Sequence, residues 1–333
     1  MLRRTSSLSA AVAHLAGPGQ LKVINGQLAF KRHGDDPIRL DPTALTYIYC
    51  YGEVSVTGAA IEILFRHGVQ TAWLSPAGAR CRGRLAWADS QTTLNRVRQH
   101  RVFADPACAR EWAKKIVSGK IEAMVAAARH YQRHGNFVGS LLADLAGFSD
   151  RLSAAKSADT VRGLEGAASG AWFRCFAGLL KDPWVFASRT RRPPSDPTNA
   201  LLSLAYTWLL NRTNARLEAS GYEVYLGGLH EYRPGRPSLA CDMMEPLRVP
   251  VVDRWVIATC NQGELMSTDF QPVESGGFHL HSTAIGKTLC SWEKHWQEGR
   301  FDDALQYWLN TLATFLRERD RPEKMPAPAG DDL

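Results

Sequence analysis

The hydrophobic positions of the chain follow two different periods, and the change between them lies near residue 90. In residues 20–88, apolar and polar positions alternate through short runs rich in Val, Ile, Tyr and Thr, such as QLKVI, LTYIYCY and VQTAWLS. Alternation of this kind is typical of β-strands, and one helical stretch, GAAIEILFRHG, interrupts them. The pattern therefore predicts a small β-rich N-terminal domain.

Over residues 89–322, apolar residues recur three and four positions apart, as in PACAREWAKKIVSGKIEAMVAAARHYQ. This spacing is that of one face of an α-helix. The clearest helix begins after Asp196, a favourable N-cap, with Pro197 in its first turn, and ends at Gly221. The expected fold class is α+β, with the small β-rich N-terminal domain followed by a larger all-helical domain.

The two ends of the chain follow neither pattern. Residues 1–19 carry two arginines and an Ala/Ser-rich run that is too weakly apolar for the core of a signal peptide, so we interpret them as an N-terminal extension. Residues 323–333, EKMPAPAGDDL, predict a disordered tail. No run approaches the ~18 uninterrupted apolar residues of a membrane span, so no membrane partner is expected.

The composition of the chain indicates which kind of partner and which cellular compartment to expect. The 333 residues include 40 Lys and Arg against 33 Asp and Glu, for a net charge of +7, which favours a polyanionic partner such as nucleic acid. The seven cysteines are odd in number, scattered and never arranged as C-x-x-C. Neither a disulfide framework nor a zinc knuckle is indicated, and a cytoplasmic location is expected.

One acidic residue falls within an apolar helical face. Projecting DTVRGLEGAASGAWFRCFAGLL at about 100° per residue places Glu165 in the middle of the apolar stripe. An ionised carboxylate that faces a core is unfavourable unless a cation or strong donors meet it, so Glu165 requires an arginine, a proton or a metal ion. Gly163, Gly166 and Gly170 weaken this helix and suggest that backbone or ligand comes close to it.

A second acidic pair lies in PSLACDMMEPLR, residues 237–248. On a helical projection Asp242 and Glu245 share the polar side with Arg248, as in any amphipathic helix. Pro246 cannot donate to the carbonyl of Asp242, which predicts a bend or break beside the acids. The pattern alone leaves open whether the two acids are a solvated helix face or half of a site.

A histidine completes a possible ligand set. His230 follows a Gly-Gly turn in LGGLHEYRPGRPS, shortly before the acidic pair. Carboxylates plus one imidazole suit Mn²⁺ or Mg²⁺ better than a structural zinc. The HLH run at 279–281 is a weaker rival because no acid lies near it in sequence. A phosphate loop, a G-x-S-x-G elbow and an H-E-x-x-H motif are all absent from the sequence.

Several blocks of the chain together resemble a known family. They are LEGAASGAWF, RRPPSDPTNALLSLAYTWL, GGLHEYRPGRPSLACDMMEPLR, VVDRWV and GGFHLHSTAIGK, with looser matches in YGEVSVTGAAIEILFRHGVQTAWLSPAG and TLNRVRQHRVF. Over roughly residues 20 to 320, their order and spacing resemble the CRISPR adaptation integrases of the Cas one (Cas1) family.

The resemblance implies a function and a site. It implies a metal-dependent DNA endonuclease and integrase that inserts new spacer DNA into a CRISPR array by 3′-OH transesterification. It implies that Glu165, His230 and Glu245 hold a divalent Mn²⁺ or Mg²⁺ ion, with Asp242 as a further catalytic acid. It also implies a homodimer formed through the β-rich domain and a complex with a small partner, Cas two (Cas2).

The DNA partners that the resemblance implies are a prespacer duplex and the CRISPR repeat and leader. Arg189, Arg191, Arg192 and Arg248 are the candidates for phosphate contacts, because guanidinium groups bind phosphate in a bidentate way. Asn199 is expected to brace the helix that follows them.

Two other functions remain open from the sequence. One is a DNA-binding scaffold without catalysis, in which Glu165 pairs with a core arginine and DNA binding is salt-sensitive. The other is a transposon-type integrase of the same family, which shares the chemistry and differs in its substrate.

Overall fold

Two β-sheets and one helix form the N-terminal half of the protein. The computed structural model describes residues 11–75, 81–85, 93–274 and 276–320. In chain order its first elements are β1 (Ala11–Ala16), β2 (Gly19–Ile24), β3 (Gln27–Arg32), β4 (Ile38–Arg39), β5 (Leu45–Tyr51), β6 (Val54–Val56), α1 (Gly58–His67), β7 (Gln70–Leu74) and β8 (Cys81–Leu85).

The strands of the two sheets alternate along the sequence, so that each sheet combines strands from separate parts of the chain. The first sheet has the order β1-β5-β7-β8, in which β1, β5 and β7 run parallel and β8 is antiparallel to β7. The second has the order β4-β3-β2-β6. Helix α1 begins after Thr57, whose hydroxyl accepts from the N–H of Ala60, and ends at Gly68 in the left-handed conformation.

Strand β5 shows how the two halves of the molecule share one core. Tyr47, Tyr49 and Tyr51 point from one face of the strand into the core of the helical half. Ile48 and Cys50 point from the other face into the core between the sheets. Because both faces are covered, the strand is apolar at nearly every position, as expected for a central parallel strand.

The N-terminal segment differs from what we predicted. Residues 11–19, which we assigned to an extension, form β1 and the start of β2. β1 pairs in parallel with β5, and a partner more than 30 residues away leaves no signal in local periodicity. Residues 1–10, the expected domain boundary within 86–92 and the expected tail at 323–333 lie outside the described residues.

The second half is mainly helical, which confirms the α+β class. Its helices are α2 (Thr93–Ala104), α3 (Pro106–Arg133), α4 (Leu141–Ser153), α5 (Ala158–Leu179), α6 (Pro197–Ala219), α7 (Ser238–Met244), α8 (Arg254–Asn261), α9 (Ser282–Glu298) and α10 (Phe301–Arg319). Asp196 caps α6 by accepting from the N–H of Asn199, and Gly221 follows its last turn with a positive φ, as predicted. Within the described ranges, none of the helices is both long and apolar enough to cross a membrane.

The second half is not entirely helical, which corrects our expectation. Strands β9 (Phe270–Pro272) and β10 (Phe278–Leu280) form an antiparallel hairpin. Each strand has only three residues, too few for alternation to be recognised in the sequence. The hairpin packs beside α6, close to the loop that precedes that helix.

The chain between α7 and α8 breaks where Pro246 predicted it. Helix α7 ends at Met244, a 3-10 turn covers Glu245–Leu247, and a π-helical turn covers Arg248–Asp253 before α8 begins. Proline removes one backbone donor and crowds the preceding turn, so regular α-helix cannot continue. The break presents the side chains of Glu245 and Arg248 to the interior between α3, α5 and α6.

Candidate active site

A buried carboxylate fixes the position of His230. Asp242, fully buried on α7, accepts hydrogen bonds from the backbone N–H groups of Gly228 (2.7 Å), Leu229 (3.0 Å) and His230 (2.9 Å). Nδ1 of His230 lies 2.8 Å from Oδ1 of the same carboxylate. A Cβ at Gly227 would lie 2.8 Å from Oδ2 of Asp242, so only glycine allows the loop to approach this closely. The carboxylate of Asp242 therefore connects the His230 loop to α7.

Glu245 lies at the helix break and is surrounded by basic side chains. Its Oε2 lies 2.6 Å from Nζ of Lys120 and 2.9 Å from Nε of Arg248, and its Oε1 lies 3.9 Å from Nε2 of His230. Burial alone would raise the pKa of this carboxyl, but Arg248, Lys120 and His230 together lower the pKa of Glu245 to about 2. Glu245 is therefore ionised at neutral pH, and neither it nor Asp242 lies on a solvated helix face.

Lys120, on α3, is a site residue that sequence reasoning missed. Its buried ammonium group bridges Glu245 and Oε1 of Glu165, so the carboxylates of two separate elements meet one cation. The signal in the sequence was a lysine on an apolar helical face, since Ile116 and Met124, four positions before and after it, are both buried. A cationic side chain on such a face requires an anionic partner.

Glu165, on α5, pairs with a cation, as its position on an apolar helical face requires. Its partner is Lys120 rather than an arginine, and the hydroxyl of Ser169 also donates to Oε1 at 2.9 Å. The side chain is 23% exposed, so it lies at the edge of the core rather than inside it. This exposure leaves Glu165 accessible from the cavity described next.

A small cavity of about 80 Å³ joins these groups. Lys120, Glu165, His230, Glu245, Arg248 and Asp253 are among the residues that line it, whereas Asp242 lies behind His230. Because Nδ1 of His230 is engaged with Asp242, its Nε2 faces Glu245. The donors are oxygen and imidazole nitrogen, the types that bind Mn²⁺ or Mg²⁺.

The oxygen and nitrogen donors of the small cavity do not surround a single point. Across the described part of the chain, no three His, Cys, Asp or Glu side chains are close enough together to hold a metal ion as they stand. The reason is visible at the carboxylates, because the ammonium group of Lys120 lies between Glu165 and Glu245. The set fits a divalent cation in chemistry, and it already binds a cation at that position.

A second buried carboxylate lies beside the first. Asp253 accepts hydrogen bonds from the hydroxyl of Tyr206 and from Nε1 of Trp172, the latter at 2.7 Å. Burial raises the pKa of Asp253 to about 6 despite these two donors. The guanidinium groups of Arg248 and Arg189 stack on the ring of Tyr206, with their Cζ atoms 4.8 and 5.5 Å from the centre of that ring.

A larger groove of about 770 Å³ adjoins the small cavity and carries the predicted phosphate-binding arginines. Arg191 and Arg192 are exposed on it. Arg189 is more buried and donates to Oδ1 of Asn199 (2.8 Å) and the hydroxyl of Ser203 (3.0 Å). Desolvation lowers the pKa of Arg189 to about 10, which leaves it charged at neutral pH. Asn199 braces this loop against α6, as expected.

The two histidines of the HLH run have separate surroundings. His279 lines the groove, whereas Nδ1 of His281 lies 2.8 Å from the hydroxyl of Thr283 and accepts from its N–H at the start of α9. The structure thus brings Glu165, His230, Asp242, Glu245 and the arginines together, and leaves this rival pair apart.

The sequence is similar to a known protein family and to individual proteins of that family. The family model of the CRISPR associated protein Cas1 matches residues 14–294. A CRISPR-associated endonuclease Cas1 of Thermus thermophilus is 35% identical over 265 residues, which cover 79% of this chain and 76% of that protein. Another from Rhodospirillum rubrum is 32% identical over 266 residues, covering 76% of each chain.

Solved structures share the fold. A CAS1 protein from Thermotoga maritima superposes with a TM-score of 0.80 at 18% identity, covering 95% of this chain and 99% of that one. A casposase bound to its integration product superposes with a TM-score of 0.77 at 21% identity, covering 95% and 96%. The family match over most of the chain and the relatives at 35% and 32% identity establish that this chain belongs to the Cas1 family of CRISPR-associated endonucleases.

Proposed function

We propose that this chain is a divalent-metal-dependent DNA endonuclease and integrase that inserts spacer DNA into a CRISPR array by 3′-OH transesterification. One observation carries the proposal: the carboxylates of Glu165 and Glu245 converge on a single cation beside the imidazole of His230. Two carboxylates and an imidazole are a donor set for Mn²⁺ or Mg²⁺.

Glu165, His230 and Glu245 are the residues that would hold the metal. Asp242 accepts from Nδ1 of His230, which leaves the lone pair of Nε2 for a metal and fixes the ring orientation. The pKa of Glu245 is about 2, so its carboxylate is ionised at neutral pH and no proton competes with a metal ion for it. When bound, the metal would stabilise negative charge on the scissile phosphate as a Lewis acid.

The DNA backbone is proposed to bind along the arginine groove. Arg191 and Arg192 are exposed there, and Arg248 and Tyr206 line both the groove and the small cavity, so the two are continuous. Guanidinium groups bind phosphate oxygens without reading the base sequence. A 3′-hydroxyl and the target phosphate would then meet at the small cavity, where one phosphodiester bond forms as another breaks.

The partners are proposed by analogy. Structures with this fold include a Cas6-RT-Cas1–Cas2 complex, with a TM-score of 0.75 and 22% identity, and a TtCas1–DNA complex, with a TM-score of 0.54 and 18% identity. We extend to this chain a DNA partner, a small Cas2 partner and a homodimer formed through the β-rich half. None of the seven cysteines, all of which lie within the described residues, forms a disulfide, which is consistent with action in the cytoplasm.

The test is strand transfer by the purified protein with its Cas2-type partner. A short duplex with free 3′-hydroxyls is offered to a repeat-bearing plasmid in Mn²⁺ and in chelator. We expect joining in Mn²⁺ by the wild type, loss of joining in chelator, and loss of at least about 100-fold in H230A, because a missing ligand weakens both metal binding and chemistry.

H134A is the matched control, since His134 is an exposed histidine at the end of α3. It should join DNA as the wild type does. DNA binding without joining under any metal condition would identify the chain as a scaffold instead. Wild-type joining by H230A would remove the proposed site, and joining into plasmids without a repeat would indicate a transposon-type substrate.

A further inference from the structure

Among the residues that the structure describes, Lys120 is the one cation that forms ion pairs with both candidate metal-binding carboxylates. Its side chain is 5% exposed, and its ammonium group binds Oε1 of Glu165 and Oε2 of Glu245, the latter at 2.6 Å. The two carboxylates reach it from α5 and from the helix break, elements about 80 residues apart in sequence. Lys120 therefore links these two carboxylates through one ammonium group.

A divalent ion and this ammonium group cannot share the position. Lys120 occupies one oxygen of each carboxylate, and the cavity between them measures only about 80 Å³. Like charges a few ångströms apart in a buried site repel strongly. Arg248 already supplies a further positive charge to Glu245, with Nε at 2.9 Å.

Lysine is suited to leave this position, whereas Arg248 is not. The lysine charge sits on a flexible four-carbon stem and has no fixed hydrogen-bonding fork. Arg248 is held by Glu245 and by the ring of Tyr206. Of the two cations on Glu245, only Lys120 also bridges to Glu165, so its departure would free oxygens of both carboxylates together.

We propose that Lys120 is an internal counter-cation that holds Glu165 and Glu245 in position before the metal binds, and that the metal displaces its ammonium group. This inference rests on the proposed metal-dependent function. It makes Lys120 a positioning residue that lowers the metal affinity of the free protein. Metal binding then couples to a movement of this one side chain.

The test measures metal binding directly. Mn²⁺ is titrated into wild type, K120M and E165Q, and free Mn²⁺ is quantified from its electron paramagnetic resonance signal. We expect K120M to bind Mn²⁺ about tenfold more tightly than the wild type, because a competing positive charge is removed. K115M, which changes an exposed lysine of the same helix, should bind as the wild type does.

The outcomes separate this inference from the function on which it rests. Equal or weaker Mn²⁺ binding by K120M, with binding by the wild type and loss of binding in E165Q, would overturn the role of Lys120 and leave the metal site intact. No binding by the wild type or by K120M would overturn the proposed function as well.

Thermal unfolding provides a second measurement of the role of Lys120. The substitution K120M leaves Glu165 and Glu245 without the one ammonium group that they share. K120M and the polar variant K120Q should have a lower Tm than the wild type without metal, and Mn²⁺ should raise their Tm by more than it raises that of the wild type. If both variants fail to fold even in saturating Mn²⁺, the metal does not replace the ammonium group and the proposal is wrong.

Discussion

Asp253 shows what burial does to a single residue beside the site. Its carboxyl is enclosed with Tyr206 and Trp172, and its pKa stands at about 6 against an ordinary value of 3.8. The folded protein therefore holds this proton more tightly than the unfolded chain does. The stability that comes from this proton is complete at low pH and is lost as the pH rises from about 4 to about 6.

D253N tests that shift. The amide stays neutral at every pH, so the free energy of unfolding of D253N relative to the wild type should rise by roughly 3 kcal/mol between pH 4 and pH 7. Urea unfolding at intervals of one pH unit measures the difference. D159N, at the exposed start of α5, should show no such trend. A pH-independent difference for D253N would mean that folding does not raise the pKa of Asp253.

At the scale of elements, glycine has different roles in α5 and in the loop before α7. We predicted that the glycines of α5 allow backbone or a ligand to come close. A Cβ at Gly163 or Gly166 would have no protein atom within 4 Å apart from its own helix, so no other backbone approaches α5 at these two positions. The close approach lies elsewhere: a Cβ at Gly227 would come within 2.9 Å of the backbone carbon of Ser238. That glycine lets the His230 loop lie against α7.

G227A and G163A should therefore change stability in opposite directions. In α5, G163A replaces an exposed helical glycine and should stabilise the protein by up to about 1 kcal/mol. G227A pushes the His230 loop away from α7 and should destabilise it by about 1–3 kcal/mol, with loss of strand transfer. Urea unfolding and the joining assay measure both effects. A stable, active G227A would show that the loop tolerates displacement.

At the scale of the whole molecule, the β-rich and helical halves are joined by a partly buried polar junction. Glu293 of α9 lies 2.8 Å from Nε2 of His14 in β1 and also pairs with Arg212 of α6, whose side chain is 6% exposed. His14 further contacts the hydroxyl of Tyr51 at 2.8 Å. Because the core is also shared across β5, we expect the described part of the chain to unfold as one cooperative unit.

E293A tests the junction. It leaves the buried guanidinium of Arg212 without its carboxylate and should destabilise the protein by about 3–5 kcal/mol. E298A, which removes an exposed glutamate of the same helix, should change stability by less than about 0.5 kcal/mol. Unfolding followed by tryptophan fluorescence and by circular dichroism should coincide in both variants. Two separate transitions in the wild type would show that the halves unfold independently.

Much of this protein could be predicted from local patterns. Period-two runs identified β2, β5 and β7, helical spacing identified α3 and α6, and Pro246 identified the break before the π-helical turn. The misplaced charge of Glu165 indicated a site because an apolar face cannot hold an unpaired carboxylate. These features depend on residues that are near one another in the sequence, so they can be recognised from the sequence alone.

Only the tertiary structure decided which residues meet across long separations. Strand β1 pairs with β5, and Lys120 forms ion pairs with Glu165 and Glu245. Asp253 accepts a hydrogen bond from Tyr206. Each partner lies on a different element, so no local period records the contact. The sequence by itself determined the elements and the residues that needed partners. The packing of α3 and α5 against the helix break decided the partners, because burial and charge compensation depend on distances in space.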